Sequence, residues 1–261
     1  MAFLPDLASH KLGKLRAPKG IRVRRRIISA LNGKAERGPV RQRLCQGLNL
    51  GDLRRLQLAA ARGEFLIRKL FPAAPELMGL LALMLLQHAR SAARFSPDGE
   101  LILLDDQDRG LWNHDAIAQG LALIDKAMRH RDPGPYQVQA AIAALHARAA
   151  KPADTDWAGI DALYGALEIM QPSPVITLNR AVAVSKTKGP DAALAMIEPL
   201  AEPLAGYFHF HGLRGGLLKQ LGREREAREA FGQAIALANT PAEAAHIRQH
   251  LDALSRDEAE A

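Results

Sequence analysis

The sequence is poor in cysteine, in aromatic side chains and in long hydrophobic runs. Its single cysteine, Cys45, cannot form an internal disulfide and fits a protein of the reducing cytoplasm. Aromatic residues make up 5% of the 261 residues, whereas hydrophobic residues in total make up 48%. This composition predicts a core of aliphatic and alanine side chains, as in helix-on-helix packing. The longest apolar run, Leu77–Leu86, is about half as long as a membrane span, so we expect no membrane segment.

Sequence motifs of catalysis and metal binding are also missing. The chain has no Gly-Lys-Ser/Thr phosphate loop, no His-Glu-x-x-His motif and no nucleophile elbow around a serine. His246 and His250 have the helical spacing of two metal ligands, but no cysteine or carboxylate accompanies them at metal-binding spacing. We therefore expect no enzyme activity, no metal and no cofactor.

Positive charge is concentrated at the start of the chain. Residues 1–55 hold 14 Lys and Arg against 3 Asp and Glu, a balance of +11, and the remainder has a balance of −4. A group of arginines in this part could neutralise nucleic-acid phosphates: Arg22, Arg24, Arg25 and Arg26. The same part lacks the aromatic surface on which bases stack. Residues 1–51 therefore have two interpretations, a solvated and poorly ordered basic leader or a nucleic-acid-binding arm.

From Gln137 to Leu237 the sequence repeats with a period of 34 residues. Two series of small residues recur, and a series of large apolar residues follows the second of them by four positions: Ala147, Ala181 and Gly215; Gly159, Ala193 and Ala227; Leu163, Ile197 and Phe231. Two glycines, Gly189 and Gly222, stand where one helix of a unit must turn into the next. The period and the pattern match the tetratricopeptide (TPR) template, in which helix pairs stack because one pair cannot bury its apolar faces alone.

Helical periodicity extends over most of the chain, and no alternation of period two is long enough for a sheet. We predict an all-α fold, a TPR-like stack of helix–turn–helix repeats. The predicted organisation is a basic leader over 1–51, a helical repeat domain over 52–254 and a polar tail over 255–261. Asp52 is the expected N-cap of the first helix, and further helices are predicted at 76–94, 115–129 and 136–149.

Several ordered blocks of the sequence are similar to a known family. The blocks are Leu77–Leu86, Ala93–Arg94, Asp98–Leu101, Leu104–Trp112, Gly134–Gln137, Ala140–His146, Asp154–Trp157, Leu163–Tyr164, Ser173–Val175 and Leu178–Ala183. The resemblance covers roughly Asp52 to Leu254. This part of the chain resembles the C-terminal TPR-like domain of a subgroup of extracytoplasmic-function RNA polymerase sigma factors.

In that family the TPR-like domain follows two sigma regions that bind core polymerase and the promoter. The resemblance therefore implies a role in sigma-factor-dependent transcription initiation, with RNA polymerase or a sigma-related protein as the partner. Residues 1–51 do not resemble those sigma regions. The alternative is a free-standing TPR-like adaptor, which binds a protein partner without contacting polymerase or DNA.

The densest polar cluster of the sequence comes directly after an apolar run. It consists of Asp105, Asp106, Gln107, Asp108 and Arg109, with Trp112 close behind. The carboxylates lie nearly contiguous, without the alternate spacing and the glycine of a calcium-binding loop. One interpretation is structural: the carboxylates cap the next helix and pair with Arg109 or Arg94, and Trp112 packs the loop onto the repeats. The other is a recognition loop for a partner or a small ligand.

A second candidate surface follows from repeat geometry. TPR-like stacks bind peptides or other domains through a concave face that is lined by the first helix of each unit. The polar residues expected there are Asn179, Arg180, Lys186 and Arg214. We predict that they contact a protein partner.

Overall fold

A computed structural model describes residues 74–97, 102–131 and 133–259 of the chain, and side chains as far as Leu254. These ranges contain nine α-helices: α1 (Pro75–His88), α2 (His114–Met128), α3 (Pro135–Arg148), α4 (Trp157–Met170), α5 (Pro174–Lys188), α6 (Pro190–Ile197), α7 (Phe208–Gln220), α8 (Glu224–Ala236) and α9 (Pro241–Ala259). Within them no sheet occurs, and Phe95 is an isolated bridge residue. The all-α prediction is confirmed. The predicted leader and the N-cap Asp52 lie outside the described residues.

Prolines begin five of the nine helices in the described ranges. They are Pro75, Pro135, Pro174, Pro190 and Pro241. The first residue of a helix has no carbonyl partner for its N–H, so proline loses nothing there and its fixed φ favours the first turn. The apolar runs therefore divide into helices at the prolines that interrupt them in the sequence.

Polar side chains cap other helices of the chain. Asn113 Oδ1 accepts from Ala116 N at 2.9 Å at the start of α2, and Asp156 Oδ1 accepts from Gly159 N at 2.8 Å at the start of α4. At α9 the Thr240 hydroxyl accepts from Glu243 N while the Glu243 carboxylate accepts from Thr240 N, the reciprocal arrangement of a capping box. These caps satisfy N–H groups that have no partner inside the helix.

The turn glycines stand where the repeat pattern predicts them. Gly189 has φ +91° between α5 and α6, and Gly222 has φ +70° between α7 and α8. Both values lie in the left-handed region, which glycine adopts without a steric penalty. α6 has only eight residues because Pro199 follows it and cannot continue a regular helix.

The helices form a stack in which each packs mainly on its neighbours in the chain. α1 packs on both α2 and α3, and from α3 to α9 each helix packs on the next. Contact with two helices explains why α1 is apolar nearly all round. Its Glu76 Oε1 accepts from Tyr136 N at 2.8 Å, so a carboxylate of α1 caps the start of α3.

α1 and α3 approach each other closely at Gly79. A Cβ at this position would lie 2.6 Å from the backbone N of Gln137 and 2.8 Å from its Cα. We expect Gly79→Ala to destabilise the protein by about 1–3 kcal/mol because backbone must move, despite the better helix propensity of alanine. Urea unfolding measures the change.

Gly232 on α8 is the matched control for this substitution. A Cβ there has nothing within 4 Å. Gly232→Ala should therefore stabilise the protein, by up to about 1 kcal/mol. Equal effects of the two substitutions would contradict the close contact at Gly79.

The 34-residue register holds between the second and third units and shifts by one residue in the first. Ala193, Ile197, Ala227 and Phe231 are all fully buried, as the pattern predicts. In α4, however, the buried residues are Ile160 and Tyr164, one position after the predicted Gly159 and Leu163. After its cap, Asp156, α4 begins at Trp157, which is one residue later in the 34-residue register than the starts of α6 and α8. Its buried face is displaced by the same one residue.

Helix boundaries differ from the sequence predictions in two places. The helix predicted for 76–94 ends at His88, and a 3-10 turn at Ser91–Ala93 follows it. At the other end, α9 continues to Ala259 through most of the predicted polar tail. None of the helices in the described ranges is long and apolar enough to cross a membrane.

Candidate interaction surface

Arg109 fastens the polar cluster to the end of α3. Its Nη1 donates to the backbone carbonyl of His146 at 2.9 Å and to that of Ala149. The last carbonyls of a helix have no partner inside it, and a cation there also interacts favourably with the helix dipole. Arg109 therefore has a structural contact that links two distant parts of the sequence.

The other cluster residues divide between buried and exposed positions. Gln107 is buried and donates from Nε2 to the Ile102 carbonyl at 3.1 Å, and Trp112 is 3% exposed. Asp108 Oδ1 accepts from Gly110 N at 2.8 Å, which caps the short turn Arg109–Leu111 rather than α2. Asp106 is exposed. The carboxylates do not cap α2, whose cap is Asn113.

The structure brings the two candidate sets together at one point. Asp105 of the polar cluster pairs with Lys186 of α5 at 3.4 Å. Lys186 Nζ also lies 5.6 Å from the ring centroid of Trp157, and Trp157 meets the His146 ring edge-on at 5.3 Å. Residues from the loop, α3, α4 and α5 thus form one polar and aromatic cluster. The sequence did not indicate this contact, because Asp105 and Lys186 are 81 positions apart.

Arginine side chains lie near the buried His146 of this cluster. Arg90 is 7% exposed, and burial, then the charges of Arg94 and Arg109, lower its pKa to about 10. Burial lowers the pKa of His146 to about 4, with Arg90 adding to the effect and Asp105 opposing it. His146 is therefore neutral at pH 7. Arg90 donates to the side-chain oxygen of Gln87, so its contact is with a neutral group.

The remaining candidates of the repeat surface lie between helices. Arg180 donates from Nε to Asp161 at 2.6 Å and from Nη1 to Glu168 at 2.7 Å, which ties α5 to α4. Arg214 pairs with Glu198 at 3.1 Å, between α6 and α7. Asn179 is 5% exposed. Of the four residues, Lys186 is the most exposed, with 38% of its side chain accessible.

These arginines occupy equivalent positions of the repeat. His146, Arg180, Arg214 and Arg248 follow one another at intervals of 34 residues on α3, α5, α7 and α9. The 34-residue offset could have found this series in the sequence, whereas the carboxylate partners Asp161, Glu168 and Glu198 share no repeat position. The arginines of the leader, Arg22, Arg24, Arg25 and Arg26, lie outside the described residues.

Two large apolar side chains are exposed beside the polar cluster. Phe95, one residue after Arg94, is 57% exposed, and Leu111, between Arg109 and Trp112, is 55% exposed. The turn Ser91–Ala93 packs on the turn Arg109–Leu111, which brings the two segments together. In the described part of the chain, no group of three or more His, Cys, Asp or Glu side chains could hold a metal ion.

Comparison with known proteins gives two similarities, neither of which carries a function. Residues 52–128 match DUF6596, a family of unknown function. A protein of Rhizobium meliloti (strain 1021), described only as uncharacterized, is 66% identical over 200 residues. That match covers 77% of this chain and 47% of the other protein, so the chain spans about half the length of this curated relative. No solved structure matches at a significant level.

Proposed function

We propose that this chain is the protein-interaction domain of a sigma-factor-like transcription regulator, acting in the cytoplasm without catalysis. The observation that carries the interaction role is the stack of helix pairs, with buried faces in one register from α5 to α8. Helical repeat stacks of this kind present extended surfaces and are used to bind peptides or other domains. Fold alone does not identify a partner.

The assignment to transcription rests on the sequence resemblance. The matched residues 52–128 contain the blocks Leu77–Leu86 and Leu104–Trp112, on which the resemblance to sigma-factor C-terminal domains depends. The Rhizobium relative extends well beyond the matched part, since the match covers 47% of it. A protein of that length has room for the polymerase- and promoter-binding regions that the resemblance implies.

Direct capture tests the proposal. We expect the tagged chain, immobilised and incubated with a lysate of its own cells, to retain core RNA polymerase or a sigma factor, identified by mass spectrometry. Purified core polymerase should then bind the chain in the absence of other proteins. Retention of a different protein, with no polymerase or sigma factor, would replace the proposal by the adaptor alternative.

Variants of the repeat surface locate the contact. Lys186 and Arg214 form partly exposed ion pairs, whose loss costs about 1 kcal/mol or less each. The double variant Lys186→Gln, Arg214→Gln should weaken capture and keep the melting temperature. The matched control is Arg225→Gln, at an exposed position of α8 outside this series. Arg180 is unsuitable, because its substitution removes its hydrogen bonds to Asp161 and Glu168, of which only Asp161 also accepts from Lys188.

A further inference from the structure

The arginine that caps α3 keeps its bidentate edge unused. Arg109 contacts the two helix carbonyls through Nη1 alone. Its Nε and Nη2 are buried and have no hydrogen-bond partner among the described residues. The N–H groups of Nε and Nη2 lie parallel on one edge of the guanidinium, and their spacing matches the two oxygens of a carboxylate.

A third unpaired donor belongs to Trp112, whose ring lies next to the Arg109 guanidinium. Trp112 is only 3% exposed, and its Nε1 has no hydrogen-bond partner within the described ranges. Cζ of Arg109 lies 4.8 Å from the centroid of the Trp112 ring, so the unpaired donors of both side chains belong to one locality. Buried donors are nearly always paired, and leaving them unpaired is costly. An acceptor that reaches them recovers this cost.

The charges around these donors favour an anion as the acceptor. Arg94 and Arg109 both lower the pKa of the buried Arg90, so these arginines lie near one another. The nearby carboxylate of Asp105 is engaged by Lys186 at 3.4 Å. No ion pair joins Arg109 to a carboxylate in the part of the chain that the structure describes, although Asp105 and Asp154 raise its pKa from a distance.

The exposed side chains at this point add an apolar component. Phe95 and Leu111 are each more than half exposed; Phe95 follows Arg94 directly, and Leu111 comes two residues after Arg109. A partner that places an apolar side chain on Leu111 and a carboxylate on Arg109 would satisfy both features.

We propose that the docking site formed by Phe95, Arg109, Leu111 and Trp112 binds an acidic side chain that neighbours an apolar residue in a partner polypeptide. The proposal deepens the interaction role proposed above by naming the chemistry of the contact, and it rests on that role only for the identity of the partner. Docking moves the shielding side chains and lets the carboxylate accept from Nε and Nη2 of Arg109.

Two dipeptides with blocked termini test the docking site. N-acetyl-Leu-Glu-amide carries one carboxylate beside an apolar side chain, and N-acetyl-Leu-Gln-amide has the same shape without the charge. The chain has two tryptophans, so an NMR spectrum of the full chain shows two indole N–H signals, and Trp112→Phe identifies that of Trp112. We expect this signal to shift and saturate with the Glu dipeptide at millimolar concentration, and the Gln dipeptide to bind about tenfold more weakly.

Substitutions separate docking from folding. Arg109→Lys keeps a cation near the α3 carbonyls but lacks the bidentate edge, so the preference for Glu over Gln should disappear. Leu111→Ser, at an exposed position, should weaken binding of both dipeptides without changing the melting temperature. If Arg109→Lys unfolds the chain, Leu111→Ser still tests the docking site. Arg248→Lys is the matched control and should bind as the original chain does.

Three results would overturn the proposal: no shift of the Trp112 signal with the Glu dipeptide, equal binding of the two dipeptides, or unchanged binding in the Leu111→Ser chain. Inorganic phosphate is the remaining probe, and tighter binding of phosphate than of the Glu dipeptide would reassign the site to a phosphate ligand. Binding of the dipeptide without capture of polymerase would retain the docking site and refute only the assignment to transcription.

Discussion

Replacing Phe231 by alanine is expected to destabilise the protein by about 3–5 kcal/mol, the largest effect of any substitution considered for this chain. Phe231 on α8 is 0% exposed. Its ring fills the space above Gly215 of α7, where a Cβ would lie 2.6 Å from ring carbons, and it stacks on the His250 ring of α9 at 5.5 Å. The substitution therefore opens a cavity between three helices. Urea unfolding followed by circular dichroism measures the loss.

A double variant tests whether the glycine and the phenylalanine share one space. Gly215→Val alone should destabilise the chain through overpacking, whereas Gly215→Val added to Phe231→Ala should recover part of the lost stability because the new side chain occupies the cavity. Phe95→Ala, at a position 57% exposed, is the control and should change stability by less than about 0.5 kcal/mol. Additive losses in the double variant would contradict the shared packing.

Acidification is expected to destabilise the protein by about 3 kcal/mol through His146 alone. Burial lowers the pKa of His146 from 6.5 to about 4, and Arg90 contributes to the shift. Between pH 6.5 and pH 4, His146 therefore binds a proton in the unfolded chain but not in the folded chain. Stability is full above pH 6.5, falls as the pH decreases towards 4, and then stops responding to this group.

The variant His146→Gln isolates this contribution. His250, whose pKa is also lowered to about 4, chiefly by burial and then by His246, adds a loss of the same sign. The free energy of unfolding, measured from pH 7 to pH 4, should fall less steeply in His146→Gln than in the original chain. The exposed His130 serves as control, and His130→Gln should leave the slope unchanged. Identical slopes in all three chains would exclude His146 as the source.

The sequence predicts the elements of the repeats because their signals are local. Proline at a helix start, a left-handed glycine at Gly189 or Gly222, and a small residue opposite Phe231 each act within one unit or between neighbouring units. The first unit differs from the pattern. Its helix α4 begins after its own cap, Asp156, and its buried residues lie one position later than the 34-residue period predicts.

The candidate site could be predicted only in part because its contacts are distant in the sequence. The polar cluster at 105–109 stands out by composition, but the contact of Arg109 with the end of α3 joins positions 37 and 40 apart. Its contact with α5 through Asp105 and Lys186 joins positions 81 apart. Arg90, His146 and Trp157 were not predicted as site residues, because an isolated arginine, histidine or tryptophan forms no recognisable motif. Their common position depends on how the first three helices pack on the repeats.

The neighbour-by-neighbour packing of the helices also determines how the molecule opens. Most contacts of α9 are with α8, so the last helix can detach while the rest of the stack stays folded. Detachment uncovers Phe231 and removes Ile247, which lies 3.5 Å from the position of a Cβ on Gly212. At the other end, the long-range contacts of Arg109 and Asp105 tie the loop to α3 and α5. Among the helices from α5 to α9, hydrogen exchange should therefore be fastest in α9 and slow down towards α5.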